Sequence, residues 1–107
     1  RLSQAVPRLQ FTLDYAHFIP ANIEAERIHP LLPYTGHFHA RQGAPGMLQA
    51  AYAEGTIDFA DILQRLSHSG YAGFLSIEYT WQEWQGCNHI DVLSESILLR
   101  NQLRSLL

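Results

Sequence analysis

Cysteine is almost absent from the sequence, and so are long apolar runs and clusters of positive charge. Cys87 is the single cysteine, so the chain forms no internal disulfide, and we expect the reducing cytoplasm as its location. No apolar run approaches the roughly 20 residues of a membrane span, so we expect no membrane partner. Seven basic residues against ten acidic ones give a net charge of −3 without a basic cluster, and we therefore expect no nucleic-acid partner.

The composition is otherwise that of an ordinary globular chain. Hydrophobic residues occupy 47% of the 107 positions and charged residues 16%, which suits at most one small domain. Short apolar-rich strands alternate with helical patterns, and no repeat or long linker interrupts them. The predicted order is β-α-β-α-β-α, which is typical of parallel strands joined by helical crossovers.

Alternation, capping residues and helix breakers set the predicted boundaries. Strands are predicted at residues 9–14, 34–41 and 73–79 because apolar and polar side chains alternate there. Each helix is predicted to begin at a polar capping residue, and these caps are Asn22, Thr56 and Asn88. The first helix is expected to stop near Pro30 and Pro33, and the second at Gly70.

Each of the three predicted strands carries polar side chains at its carboxyl end. These side chains are Asp14, the row formed by His37, His39 and Arg41, and Glu78. Buried parallel strands are usually apolar throughout, but in a (β/α)₈ barrel the side chains at the carboxyl ends form the active site. Carboxylate and imidazole groups are the ligands that suit a divalent ion such as Mn²⁺, Mg²⁺, Co²⁺ or Zn²⁺. We therefore expect His39 to be a ligand, Arg41 to face a substrate, and His37 to be structural, one layer deeper.

Four segments resemble the carboxyl-terminal part of the xylose isomerase-like TIM-barrel superfamily, the sugar phosphate isomerases and epimerases. They are "LDYAHF", "GHFHAR", "EGTIDFADILQRLSHSGYAG" and "LSIEY". The resemblance spans nearly the whole chain. It implies an α/β fold in which residues 1–107 form a single partial domain, the last three βα units (about strands 6–8) of a (β/α)₈ barrel.

The resemblance also implies a role for each polar residue. Asp14, His39 and Glu78 would be three of four ligands of a divalent metal ion, and His17 and Arg41 would contact the substrate, a small sugar or sugar phosphate. Glu78 would also be catalytic, as one of two carboxylates that move a proton through an enediolate. The fourth ligand is a glutamate on the preceding strand in that family. We expect a missing amino-terminal barrel segment or another chain to supply it, so the 107-residue chain alone is expected to be inactive.

Other interpretations remain open at this stage. Three βα units leave two sheet edges open, which fits a non-catalytic partial-barrel fragment or an interaction module. A metal-dependent apurinic endonuclease has the same fold, but it would need more histidine ligands and a basic DNA-binding face. Asp14 fits a strand-end turn and Glu78 fits a partner for a barrel arginine, while Trp81 and Trp84 fit either a pocket roof or simple packing. His29, His68 and His89 are expected to be solvated or to cap helices.

Overall fold

The computed structural model describes residues 2–107 and contains a small parallel sheet with helices around it. The α-helices are α1 (Leu2–Ala5), α2 (Ala25–Ile28), α3 (Phe59–His68) and α4 (Val92–Leu106), and the strands are β1 (Phe11–Leu13), β2 (Thr35–Ala40) and β3 (Leu75–Ile77). Single turns of 3₁₀ helix lie at Tyr15–His17, Ile19–Ala21, Tyr52–Glu54 and Trp84–Gly86, and a longer 3₁₀ helix lies at His29–Tyr34. Within residues 2–107, no helix has the length and hydropathy needed to cross a bilayer.

The three strands pair in the order β1-β2-β3, and both pairs are parallel. Thr12 of β1 lies opposite His37 of β2, and His39 of β2 lies opposite Ser76 of β3. This confirms the predicted mixed α/β class and the sequential parallel strands. β2 is the central strand, and β1 and β3 lie at the two edges of the sheet.

The two faces of the sheet differ in polarity. One face carries Leu13, Phe38 and Ala40, which are buried in a core shared with α3 and α4. Successive strand residues point to opposite faces, so His37 and His39 share the other face, where they are half-buried and their ring centroids lie 5.0 Å apart. The alternation predicted for the second strand is therefore correct, and the face of β2 opposite the core carries its two histidines.

The first predicted helix begins at the wrong residue. Asn22 has a φ of 54°, a left-handed conformation in which its N–H closes the preceding 3₁₀ turn on the carbonyl of Ile19. α2 begins only after Glu24 and lasts one turn. The chain then continues as the 3₁₀ helix His29–Tyr34, which contains both prolines. Proline lacks the N–H that a continuing α-helix would use, and this explains the change.

The other two predicted caps lie two and three residues too early. Asp58 caps α3 by accepting a 3.1 Å hydrogen bond from the N–H of Asp61, whereas the N–H of Thr56 bonds to the carbonyl of Gly43. Asp91, not Asn88, caps α4. The end of α3 agrees with the prediction, because Gly70 follows it with a φ of 82°.

Candidate functional site

Three charged side chains meet at the carboxyl-terminal edge of the sheet. Asp14 directly follows β1, Arg41 directly follows β2, and Glu78 directly follows β3. The Nη2 atom of Arg41 lies 2.5 Å from Oδ2 of Asp14 and 3.4 Å from Oε2 of Glu78. Parallel strands bring their carboxyl ends to one edge of the sheet. Asp14, 27 positions before Arg41, and Glu78, 37 positions after it, therefore contact the same guanidinium.

Asp14 combines a local and a long-range role. Its Oδ1 accepts a 2.8 Å hydrogen bond from the N–H of Ala16, which starts the 3₁₀ turn Tyr15–His17. Its Oδ2 accepts from Arg41, and the residue is only 5% exposed. Burial raises the pKa of Asp14, and the positive charge of Arg41 opposes that rise. Asp14 therefore acts both as a strand-end turn residue, through Oδ1, and as a member of the charged cluster, through Oδ2.

Arg41 is 3% exposed, so its charge is held almost entirely out of water. Besides its contacts with the two carboxylates, Nη2 donates to Nε2 of His17 at 3.2 Å. The Nε atom is buried without a hydrogen-bond partner. Burying a guanidinium is costly unless counter-charges surround it, and Asp14 and Glu78 supply them.

Glu78 has one oxygen that lies close to His39 and Arg41 but accepts no well-aligned hydrogen bond from either. Its Oε2 lies 2.9 Å from Nδ1 of His39 and 3.4 Å from Nη2 of Arg41. The same oxygen is buried and accepts no hydrogen bond of acceptable geometry. The two observations differ because distance alone defines an ion pair, whereas a hydrogen bond also needs alignment. We conclude that charge, not directed hydrogen bonding, holds this oxygen.

The clustered atoms include a set of ligands for a metal ion. One ligand atom each from Asp14, His17 and Glu78 lies within 4.8 Å of the other two. The sequence-based prediction placed His39 among the ligands and gave His17 to the substrate. In the structure His17 belongs to the clustered set, while His39 contacts Glu78. Both histidines therefore lie beside a predicted ligand, and both remain candidates for the imidazole ligand.

The donor set fits a divalent ion. Oxygen and nitrogen ligands of this kind are typical of Mn²⁺, Co²⁺ and Zn²⁺ sites, and carboxylates also bind Mg²⁺. Two carboxylates around one guanidinium leave net negative charge at the cluster. The unsatisfied Oε2 of Glu78 adds a buried lone pair with no hydrogen bond to lose. The position of Arg41 is the one feature that opposes an added cation.

The remaining histidines lie elsewhere. His37 shares a 2.9 Å hydrogen bond with the hydroxyl of Ser76. His29 is bound between the Tyr15 hydroxyl at 3.0 Å and Oδ2 of Asp61 at 3.5 Å, on the helix side of the sheet. His68 and His89 are exposed. None of these four belongs to the set of clustered ligand atoms.

Sequence reasoning missed the residues that hold the loop after β2. Gln42, Gln49 and Tyr79 are buried polar residues in or beside this loop. Gln42 exchanges two hydrogen bonds with the backbone of Ile57, at 2.8 and 3.1 Å. The Tyr79 hydroxyl donates to the carbonyl of Ala50 at 2.9 Å. Glutamines in a Gly/Pro-rich segment carry no periodic signal, so no pattern marked them as buried.

One concave region of the surface lies away from this cluster. A cavity of about 220 Å³ is lined by residues near the amino-terminal ends of β1, β2 and β3, including Gln10, Gly36 and Gly73. Trp81 and Trp84 are 68% and 57% exposed, so neither is packed into the core. The lining of the cavity contains no carboxylate or histidine, and so none of the predicted ligands.

No family model matches the chain, and no curated protein and no solved structure matches it. The structure itself defines a class: an α/β protein with a three-stranded parallel sheet. Its distinguishing feature is a cluster of buried Asp14 and Arg41 with half-buried Glu78 and two neighbouring histidines, at the carboxyl-terminal edge of that sheet.

Proposed function

We propose that this chain forms part of a divalent-metal-dependent isomerase or epimerase that acts on a small sugar or sugar phosphate. Its three strands would correspond to about strands 6–8 of a (β/α)₈ barrel, with the polar face of the sheet toward the lumen. One observation carries the proposal: ligand atoms of Asp14, His17 and Glu78 lie within 4.8 Å of one another at the ends of neighbouring parallel strands. The resemblance of four sequence segments to the sugar isomerases and epimerases supports the same conclusion.

Asp14 and Glu78 would provide oxygen ligands, and His39 or His17 the nitrogen ligand, for Mn²⁺, Mg²⁺, Co²⁺ or Zn²⁺. A divalent ion bound there acidifies the proton on the carbon next to a substrate carbonyl. Glu78 would be the carboxylate that accepts this proton, since its buried Oε2 accepts no hydrogen bond that would occupy its lone pairs. His39 lies 2.9 Å from the same oxygen.

The remaining polar groups bind and orient the substrate. His17 is exposed and lies beside the carboxylates, so its imidazole is available to a substrate hydroxyl when His39 is the ligand. Arg41 provides positive charge at the same place. Epimerisation needs proton transfer on two faces of the reacting carbon, and the second carboxylate would come from a missing barrel segment or another chain. The 107-residue chain alone is therefore proposed to bind metal without turnover.

A non-catalytic interaction module is the second candidate, and a different observation favours it. β1 and β3 each pair on one side only among the described residues, and the sheet face that carries His37 and His39 is partly exposed. Such edges accept further strands. A partner that only completes the sheet would need no metal, so metal binding separates the two candidates.

Titration calorimetry with Mn²⁺ on the 107-residue chain tests the metal site. We expect Asp14→Asn and Glu78→Gln each to weaken binding by about tenfold or more, because each removes one anionic ligand. His68→Ala is the matched control, since His68 is exposed on α3 and lies outside the cluster. Comparison of His17→Ala with His39→Ala identifies the imidazole ligand. Equal Mn²⁺ affinity in Asp14→Asn, Glu78→Gln and His68→Ala would contradict the proposed function.

A further inference from the structure

Arg41 lies at the centre of the cluster, where its guanidinium contacts both carboxylates. A single atom, Nη2, makes the contacts to Asp14, His17 and Glu78, at 2.5, 3.2 and 3.4 Å. These are also the three residues whose ligand atoms cluster within 4.8 Å. One nitrogen of Arg41 and a metal ion would therefore compete for the same set of ligand atoms.

The guanidinium of Arg41 does not form all the hydrogen bonds available to it. A structural arginine commonly forms paired hydrogen bonds to a carboxylate through two nitrogens, and that fork is the reason for its strength. Here Nε is buried and has no hydrogen-bond partner. Arg41 thus contacts the cluster through one nitrogen, Nη2. Its Nε has lost contact with water and gains no hydrogen bond in return.

The carboxylates need a cation in either state. Asp14 is 5% exposed and Oε2 of Glu78 is buried, and two negative groups this close repel each other without positive charge between them. A guanidinium and a divalent ion both satisfy that need, and both would have to lie among the same three residues.

We propose that Arg41 is a built-in competitor of the metal: it holds Asp14 and Glu78 together in the metal-free protein, and a divalent ion binds by displacing it. This inference rests on the proposed function, because it concerns the same site. It assigns to Arg41 a regulatory role, that of setting the metal concentration at which the site loads. It also predicts that removal of this basic residue strengthens metal binding.

Mn²⁺ titration of the 107-residue chain carrying Arg41→Gln tests the proposal. We expect this variant to bind Mn²⁺ about tenfold more tightly than the unsubstituted chain, or more, because a charge that repels and competes with the ion is gone. Arg41→Lys keeps a positive charge on a shorter side chain, so its affinity is expected to lie between the two. Arg27→Gln removes an exposed arginine on α2 and is expected to leave the affinity unchanged.

Thermal unfolding adds a measurement that a purely structural arginine would not change, namely the rise in melting temperature when Mn²⁺ is added. Without metal, Arg41→Gln is expected to melt at a lower temperature than the unsubstituted chain, because two close carboxylates lose their counter-charge. Saturating Mn²⁺ is then expected to raise the melting temperature of the variant more than that of the unsubstituted chain. Circular dichroism shows whether each variant folds. If Arg41→Gln does not fold, the Mn²⁺ affinity of Arg41→Lys tests the proposal in its place.

The outcomes separate this inference from the proposed function. If the unsubstituted chain binds Mn²⁺ through Asp14 but Arg41→Gln binds equally or more weakly, the competitor role is overturned and the metal site stands. If Arg41→Gln binds Mn²⁺ and the unsubstituted chain does not, the competitor role is supported and a metal-dependent function of the natural sequence is overturned. If neither chain binds Mn²⁺, the inference is overturned. If Arg41→Gln does not fold, Arg41→Lys is compared instead, and an affinity no higher than that of the unsubstituted chain overturns the inference.

Discussion

The carboxamide of Gln49 pairs with the backbone of Thr80 in both directions. Its Nε2 donates to the carbonyl of Thr80 at 2.8 Å, and its Oε1 accepts from the N–H of Thr80 at 3.0 Å. The same Nε2 donates to the carbonyl of Cys87 at 2.9 Å. One side chain thus joins the loop after β2 to the segment after β3, immediately beyond Glu78.

Replacement of Gln49 is expected to be costly for this reason. Gln49→Ala removes all three hydrogen bonds and leaves the Thr80 and Cys87 backbone groups without them, which we expect to cost about 2 to 4 kcal/mol. Gln64→Ala is the control, because Gln64 is exposed on α3. Urea unfolding measures both variants. A cost for Gln49→Ala no greater than that for Gln64→Ala would show that the loop is held by other contacts.

The position of the α3 cap is testable by a pair of substitutions. Asp58→Ala removes the side chain that accepts the 3.1 Å hydrogen bond from Asp61, and we expect a loss of about 1 kcal/mol. Thr56→Ala is expected to cost less, because its Oγ1 makes only a 3.4 Å contact with the Gly43 carbonyl. Chemical denaturation of the two variants measures the difference, and the reverse order would restore Thr56 as the cap.

The cap of α4 makes stability depend on pH. Hydrogen bonds from Ser94, of which the backbone N–H bond is 2.8 Å, lower the pKa of Asp91 below its ordinary value. An acid whose pKa is lower in the folded state stabilises the fold above the ordinary value of about 4, and this stabilisation is lost as the pH falls through the lowered pKa.

We therefore expect Asp91→Asn to reduce the loss of stability on acidification, because asparagine caps helices without ionising. The measurement is the difference in urea midpoint between the unsubstituted chain and the variant at pH 7 and pH 3, compared at equal ionic strength. Glu83→Gln serves as the control, since Glu83 is exposed and makes no capping hydrogen bond. A difference for Asp91→Asn that does not depend on pH would contradict this account of the pKa.

His37 is expected to stabilise the sheet and not to bind metal. Its 2.9 Å hydrogen bond to Ser76 joins β2 to β3 on the polar face. We expect Ser76→Ala to cost about 0.5 to 1.5 kcal/mol in unfolding free energy. The same variant is expected to retain full Mn²⁺ affinity in calorimetry, whereas weakened binding would place His37 or Ser76 in the site.

The sheet was largely predictable from the sequence because alternation is a local signal. Phe38 and Ala40 face the core, and His37 and His39 face the opposite side, as the alternation requires. The helix starts were less predictable, since several capping residues stand close together before each helix. Thr56 and Asp58 are both acceptable caps, and the loop contact of Thr56 with Gly43 decides between them.

The candidate site was predictable in its place but not in its contacts. The polar ends of the strands marked Asp14, Arg41 and Glu78, and a parallel sheet brings those ends together. Whether a guanidinium lies between the carboxylates depends on side-chain conformation, which no spacing encodes. Likewise, the contact of His39 with Glu78 involves residues on different strands, so it follows from strand register and not from local pattern.

The central place of β2 in the sheet also has a consequence for amide hydrogen exchange. Opening β1 or β3 breaks one ladder of hydrogen bonds, whereas opening β2 breaks two, so we expect the amides of β2 to exchange with solvent most slowly of the three strands. His39 lies on β2 and Arg41 directly follows it, while Asp14 and Glu78 follow the outer strands. Local opening at either edge is therefore expected to release a carboxylate while His39 and Arg41 stay in place, so the two sides of the site would differ in lifetime.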